Sequence, residues 1–114
     1  GFKRVANLKL KKNKYEQVLN DYQKTNLIAI QEINDSLFNL KTDKQKLLNN
    51  KKAFEIQKKD YGYSQTKFKL GTISKLDLLQ EKEALLYTQQ LLINAKTDCF
   101  IDRISLYKTT GARL

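Results

Sequence analysis

An apolar side chain returns every seven residues through most of this 114-residue chain, and that recurrence limits its possible folds more than any other feature. Leu8, Tyr15, Tyr22 and Ala29 form one string; after a step of four the repeat resumes as Ile33, Leu40, Leu47, Phe54, Tyr61 and Phe68. A sustained seven-residue period puts a narrow stripe on a helix and turns it towards a partner in a left-handed coiled coil. The step of four reads as a stutter that locally unwinds it. The sequence contains no proline to break such a helix. A first helix is therefore expected over about residues 5–70, with residues 1–7 ambiguous between a helix start and the end of a strand or loop. At about 1.5 Å per residue it is about 100 Å long, far more than a compact domain of this size measures, so it must project. Gly62 lowers helix propensity and marks a possible bend or close helix crossing.

The strong turn signal lies at Leu70-Gly71-Thr72-Ile73-Ser74-Lys75-Leu76-Asp77. Gly71 reaches the left-handed conformation that ends a helix without steric penalty. Ser74 then opens the next helix, its hydroxyl accepting from the Asp77 N–H while the Asp77 carboxylate accepts from the Ser74 N–H and sits against the positive end of the helix dipole. The second helix is expected over about residues 74–110, with Gly111 as the residue just past its end. It carries two adjacent strings, Leu78, Leu85, Leu92, Cys99, Leu106 and Leu79, Leu86, Ile93, Phe100, Tyr107. Leu76, Ala84, Leu91, Ala95, Ile101 and Ile104 widen that face beyond what one partner helix covers, so this helix should touch at least two neighbours.

The fold class is thus all-α, a long antiparallel helical hairpin of coiled-coil type with its tip at about residues 70–77. Folding the chain at the tip makes residues whose numbers sum to about 145 face one another. Phe68 then lies near Asp77 and Leu78, Tyr61 near Ala84 and Leu85, Phe54 near Leu91 and Leu92, Leu47 near Cys99, and Leu40 near Ile104 and Leu106. The second helix runs out opposite about Ile33, leaving Tyr15, Val18, Tyr22, Leu27, Ile28 and Ile30 on an overhang without an in-chain partner. Such a stripe predicts a partner from another chain or another part of the same protein, and self-association of the isolated segment.

Charge and composition exclude several chemistries. The net charge of +10 is uneven: residues 1–72 hold 16 Lys/Arg against 7 Asp/Glu, and residues 73–114 hold 6 against 5. Nineteen of the 22 basic residues are lysines, which disfavours bidentate recognition of bases or phosphates and favours a solvated face. With no histidine and the single cysteine Cys99, a conventional His/Cys metal site or a Ser-His or Cys-His catalytic pair cannot be built, and Cys99 falls where a buried free thiol is the default. Glu81 and Glu83, or Asp98 and Asp102, form no acid pair with a basic or metal partner, so no catalytic residue, metal or cofactor is assigned. No apolar run is long enough to span a membrane as a helix. The absence of methionine suggests a piece of a longer protein.

Two stretches together carry a family resemblance. Tyr22 to Leu37, with Thr25, Ala29, Glu32 and Ile33 at fixed spacing, resembles the Y-x-x-T-v-x-x-A-x-x-E-V-x-x-A-L segment of TolC-like outer membrane efflux proteins. Tyr63 to Gln80, with Phe68, Gly71, Ser74, Leu76, Asp77, Leu78 and Leu79, resembles their Y-x-x-G-x-x-S-x-L-D-L-L-x-A/E motif. The ending Leu106-Tyr107-Lys108-Thr109-Thr110-Gly111 is similar to their L-Y-K-A-L-G-G, and order and separation match over nearly the whole chain.

The resemblance implies one periplasmic helical hairpin, residues 1–114, from the second repeat of a trimeric channel of Gram-negative outer membranes that serves multidrug efflux or type I secretion. Its β-barrel continues as a helical tunnel through the periplasm. It further implies that Leu70, Gly71, Thr72, Ile73, Ser74 and Leu76 form a tip that docks a periplasmic adaptor (membrane fusion) protein coupled to an inner-membrane transporter. Asp77 and Phe68 would then lie near the pore constriction, with Asp77 selecting cations as one of three carboxylates in a ring. Gln80 stands where many members carry a further acid. Phe68 and Ile73 replace the tyrosine and arginine that brace the closed tip in some members and can supply neither hydroxyl nor charge. The competing reading is a lysine-rich coiled coil that binds nucleic acid or an anionic surface, for which steep salt dependence of binding would speak.

Overall fold

The structure, a computed structural model, describes residues 1–111. Two helices and one turn make up the described chain: α1, Phe2–Lys69, and α2, Lys75–Gly111. They form the expected antiparallel hairpin, a rod with extents of 104 × 22 × 15 Å. Among the described residues no helix is long and apolar enough to cross a membrane.

Three local expectations are corrected. Helix α1 is already formed at Phe2, because the Val5 N–H donates to the Gly1 carbonyl at 3.3 Å and nothing in the first residues opposes the turn. Gly62 sits within an uninterrupted α1, and a Cβ placed there would meet nothing within 4 Å, so no close crossing occurs. Gly111 is itself helical, within α2 rather than just past its end, and among the described residues Gly71 is the glycine with a left-handed φ.

The expected stutter is also absent. Covered positions of α1 run Ala29, Ile33, Ser36, Leu40, Asp43, Leu47 and onwards in unbroken steps of four and three, which is a continuous heptad seam. What changes near Ala29 is chemistry. The string that carries Tyr15, Tyr22 and Ala29 continues as Ser36, Asp43, Asn50, Gln57 and Ser64, while Ile33 belongs to the apolar string beside it. Helix α2 repeats the arrangement: Leu78, Leu85, Leu92, Cys99 and Leu106 are covered, and three residues after each lie Glu81, Thr88, Ala95, Asp102 and Thr109.

The two seams meet in the register expected from the tip. Asp43 and Asp102, both half-buried seam residues, face one another across the hairpin. Stepping by sevens from that pair sets Asn50 level with Ala95, which share one groove, and Gln57 level with Thr88. Nearer the tip, Gln57 Nε2 donates to Glu81 Oε2 at 3.0 Å. Leucine and aromatic layers therefore alternate with small or polar ones along the whole overlap. The seam hydroxyls turn to their own helix: Thr88 Oγ1 donates to the Leu85 carbonyl and Thr109 Oγ1 to that of Ser105, both at 2.8 Å.

So narrow a seam buries little. Leu92, Ala95 and Cys99 make up the buried apolar set among the described residues, while a fully buried leucine contributes about 1.5–3 kcal/mol. The second α2 string is open, from Ile93 at 49% to Tyr107 at 78% exposed, so α1 covers only one of the two strings. Residues 2–28 of α1 are exposed throughout, so the overhang begins where the sequence placed it.

Candidate functional site

The hairpin tip is built from two interlocking caps. Leu70 leaves α1 at φ −80° and ψ −4°, and Gly71 follows at φ 77°. This swing lets the Gly71 N–H donate to the Phe68 carbonyl at 3.0 Å and the Thr72 N–H to the Lys67 carbonyl at 2.9 Å, the paired closure of a Schellman motif. Thr72 Oγ1 adds a second bond to Lys67 O at 3.0 Å. Lys67 and Lys69, in the last turn, face the negative end of the α1 dipole.

Ser74 caps α2 as its spacing required. The Asp77 N–H donates to Ser74 Oγ at 3.1 Å, and the Ser74 N–H donates to Asp77 Oδ2 at 3.1 Å. Both orphan donors of the first turn named by the sequence are thus satisfied by side chains. The Leu78 N–H closes the turn on the Ser74 carbonyl.

This geometry separates the tip residues by role. Gly71, Thr72, Ser74 and Asp77 spend their polar groups on the reversal itself. Leu70 and Leu76 stand out from it at 73% and 65% exposure, with Ile73 half-buried between them and Phe68 at 39% a turn back on α1. An apolar crown on a hydrogen-bonded frame is suited to packing against another protein's side chains.

A second cluster escaped the sequence reading. Asp43, half-buried on α1, meets Asp102, half-buried on α2, and Asp98 lines the same groove as Asp43. The hydrogen bond that a protonated Asp102 can share with Asp43, burial, and the negative charges of Asp43 and Asp98 raise the Asp102 pKa from 3.8 to about 6. The signal was present: both aspartates sit three or four residues from seam leucines, at the heptad position that the apolar count skipped.

A family model described as "Outer membrane efflux protein" matches residues 1–112. The chain belongs to the outer membrane efflux protein family. Similar relatives, all from Pseudomonas putida, are the probable efflux pump outer membrane protein TtgC, the antibiotic efflux pump outer membrane protein ArpC, and the toluene efflux pump outer membrane protein TtgC of a second strain. Each is 28% identical over 90 residues, which is 79% of this chain and 19% of the relative, so the chain spans about a fifth of the length of these curated relatives. No solved structure matches it. Within this outer membrane efflux family segment, Gly71, Ser74 and Asp77 occupy the motif positions named above, and their caps give the motif its physical reason.

Proposed function

We propose that this hairpin is a wall segment of an efflux channel anchored in the Gram-negative outer membrane, lying in the periplasm with its tip directed away from that membrane. Three protomers assemble the tunnel, and the open α2 string from Leu79 to Tyr107 packs against a neighbouring hairpin. The tip docks a periplasmic adaptor protein coupled to an inner-membrane transporter through Leu70, Ile73 and Leu76. Asp77 and Phe68 face the narrowed end of the pore, and the bond to Ser74 fixes the carboxylate in orientation. Family membership supports the channel role. The observation that carries the tip assignment is an apolar, doubly capped reversal at the far end of a rod 104 Å long.

The test is made in the intact protein with Leu76→Asp and Leu70→Asp. Both leave the capping bonds untouched, so trimers should persist on native gels while cross-linking to the adaptor and export are lost. Normal export in both variants would remove the tip from the docking surface.

A further inference from the structure

We propose that Asp43 and Asp102 form a proton-operated latch in the seam: one shared proton holds the two helices together at that layer, and its loss parts them there. What the pair lacks is a donor. Asp102 Oδ2 is buried and receives no hydrogen bond. Its cross-helix neighbour is another carboxyl group, and two carboxylates can bond only if one carries a proton.

The surroundings offer little else to neutralise the pair. On α1, Lys46 Nζ stands 4.0 Å from Asp43 Oδ1, but the lysine side chain is 67% exposed and the contact is within one helix. Lys44 is exposed beside it. On α2, Asp98 brings a further negative charge, and Arg103 is exposed and makes no ion pair with Asp102. Two facing anions with no donor between them repel strongly in a partly dry seam, and separation with entry of water is the relief available. A groove lined by Asp43, Asn50, Asn94 and Asp98 opens beside the pair and gives that water a polar route. Leu40 and Leu106 on one side and Leu47 and Cys99 on the other are the layers that opening would disturb.

The chain carries its own reporter. Cys99 is its single cysteine, free, 3% exposed, and one turn from Asp102 on the seam face of α2. In the intact protein, with any thiol outside the hairpin removed, the maleimide labelling rate of Cys99 is measured against that of the urea-unfolded protein at the same pH. This ratio largely cancels the pH dependence of thiolate formation. The protection of Cys99 is expected to fall about five-fold or more between about pH 5 and about pH 7.5. In Asp102→Asn, whose amide donates to Asp43 without titrating, protection should stay within about two-fold over the same range. Asp43→Asn, on the other helix, gives an independent version should the first variant fold poorly. Protection that is flat in the wild type, or that falls equally in the variants, overturns the latch.

Discussion

Ser74 and Asp77 cap one another, each backbone N–H donating to the other's side-chain oxygen at 3.1 Å. The reversal is therefore held from the α2 side by the side chains of these two residues, while Gly71 and Thr72 hold it from the α1 side.

Ser74→Ala should cost about 1 kcal/mol of hairpin stability, the usual value of an N-cap side chain. Asp77→Ala should cost a similar amount, and the double variant less than the two losses combined, because each single change already breaks the reciprocal pair. Thermal unfolding of the three variants at one protein concentration checks this.

Gly71→Ala should destabilise by about 1–2 kcal/mol, and Gly71→Asn by less, since asparagine tolerates the left-handed region. An added Cβ would meet nothing within 4 Å, so the cost is conformational, not a clash. A Gly71→Asn variant no better than Gly71→Ala in unfolding experiments would contradict that account.

Stability should also depend on pH through Asp102. Its folded pKa, about 6, lies above its unfolded value near 3.8, so the fold favours the protonated acid. The stabilisation is complete below the unfolded value and is lost as pH rises through about 6. Other acids titrate too, so the informative quantity is the difference in Tm between Asp102→Asn and the wild type. It should grow in favour of the variant by several degrees from about pH 4 to about pH 7.5.

The overhang of α1 exposes Tyr15, Val18, Tyr22, Leu27 and Ile30, each at 56% or more. The isolated 114-residue chain should therefore self-associate, and Tyr22→Glu with Ile30→Glu should shift it towards monomer. Sedimentation velocity across a concentration series reads the outcome directly.

The hairpin was legible in the sequence because period, turn and length agree: strings such as Leu78 to Leu106 fix one face, and Gly71 and Ser74 fix the bend. Counting only apolar residues concealed the other half of the seam. At Ala29 the apolar string ends, yet Ser36, Asp43, Asn50 and Gln57 keep its heptad place, so a change of chemistry looked like a break in winding. The capping bonds were legible because they are local, set by residues three apart. Asp43 and Asp102 were not, since their meeting depends on the register of two helices joined far away at the tip. For the proposed docking crown, Leu70 and Leu76 could be placed on the bend, but their exposure followed only once the caps had fixed the turn.

The alternation of layers has a consequence for how the two helices find their alignment. A slip of three or four residues would set Leu40 or Leu47 against Asp102 and strand a carboxyl group among leucines, which is costly. A slip of a full seven would restore the matching of layers but would tear open both caps at the tip. The polar rungs act as teeth and the tip as the stop, so the rod can twist or bend as one body but cannot telescope.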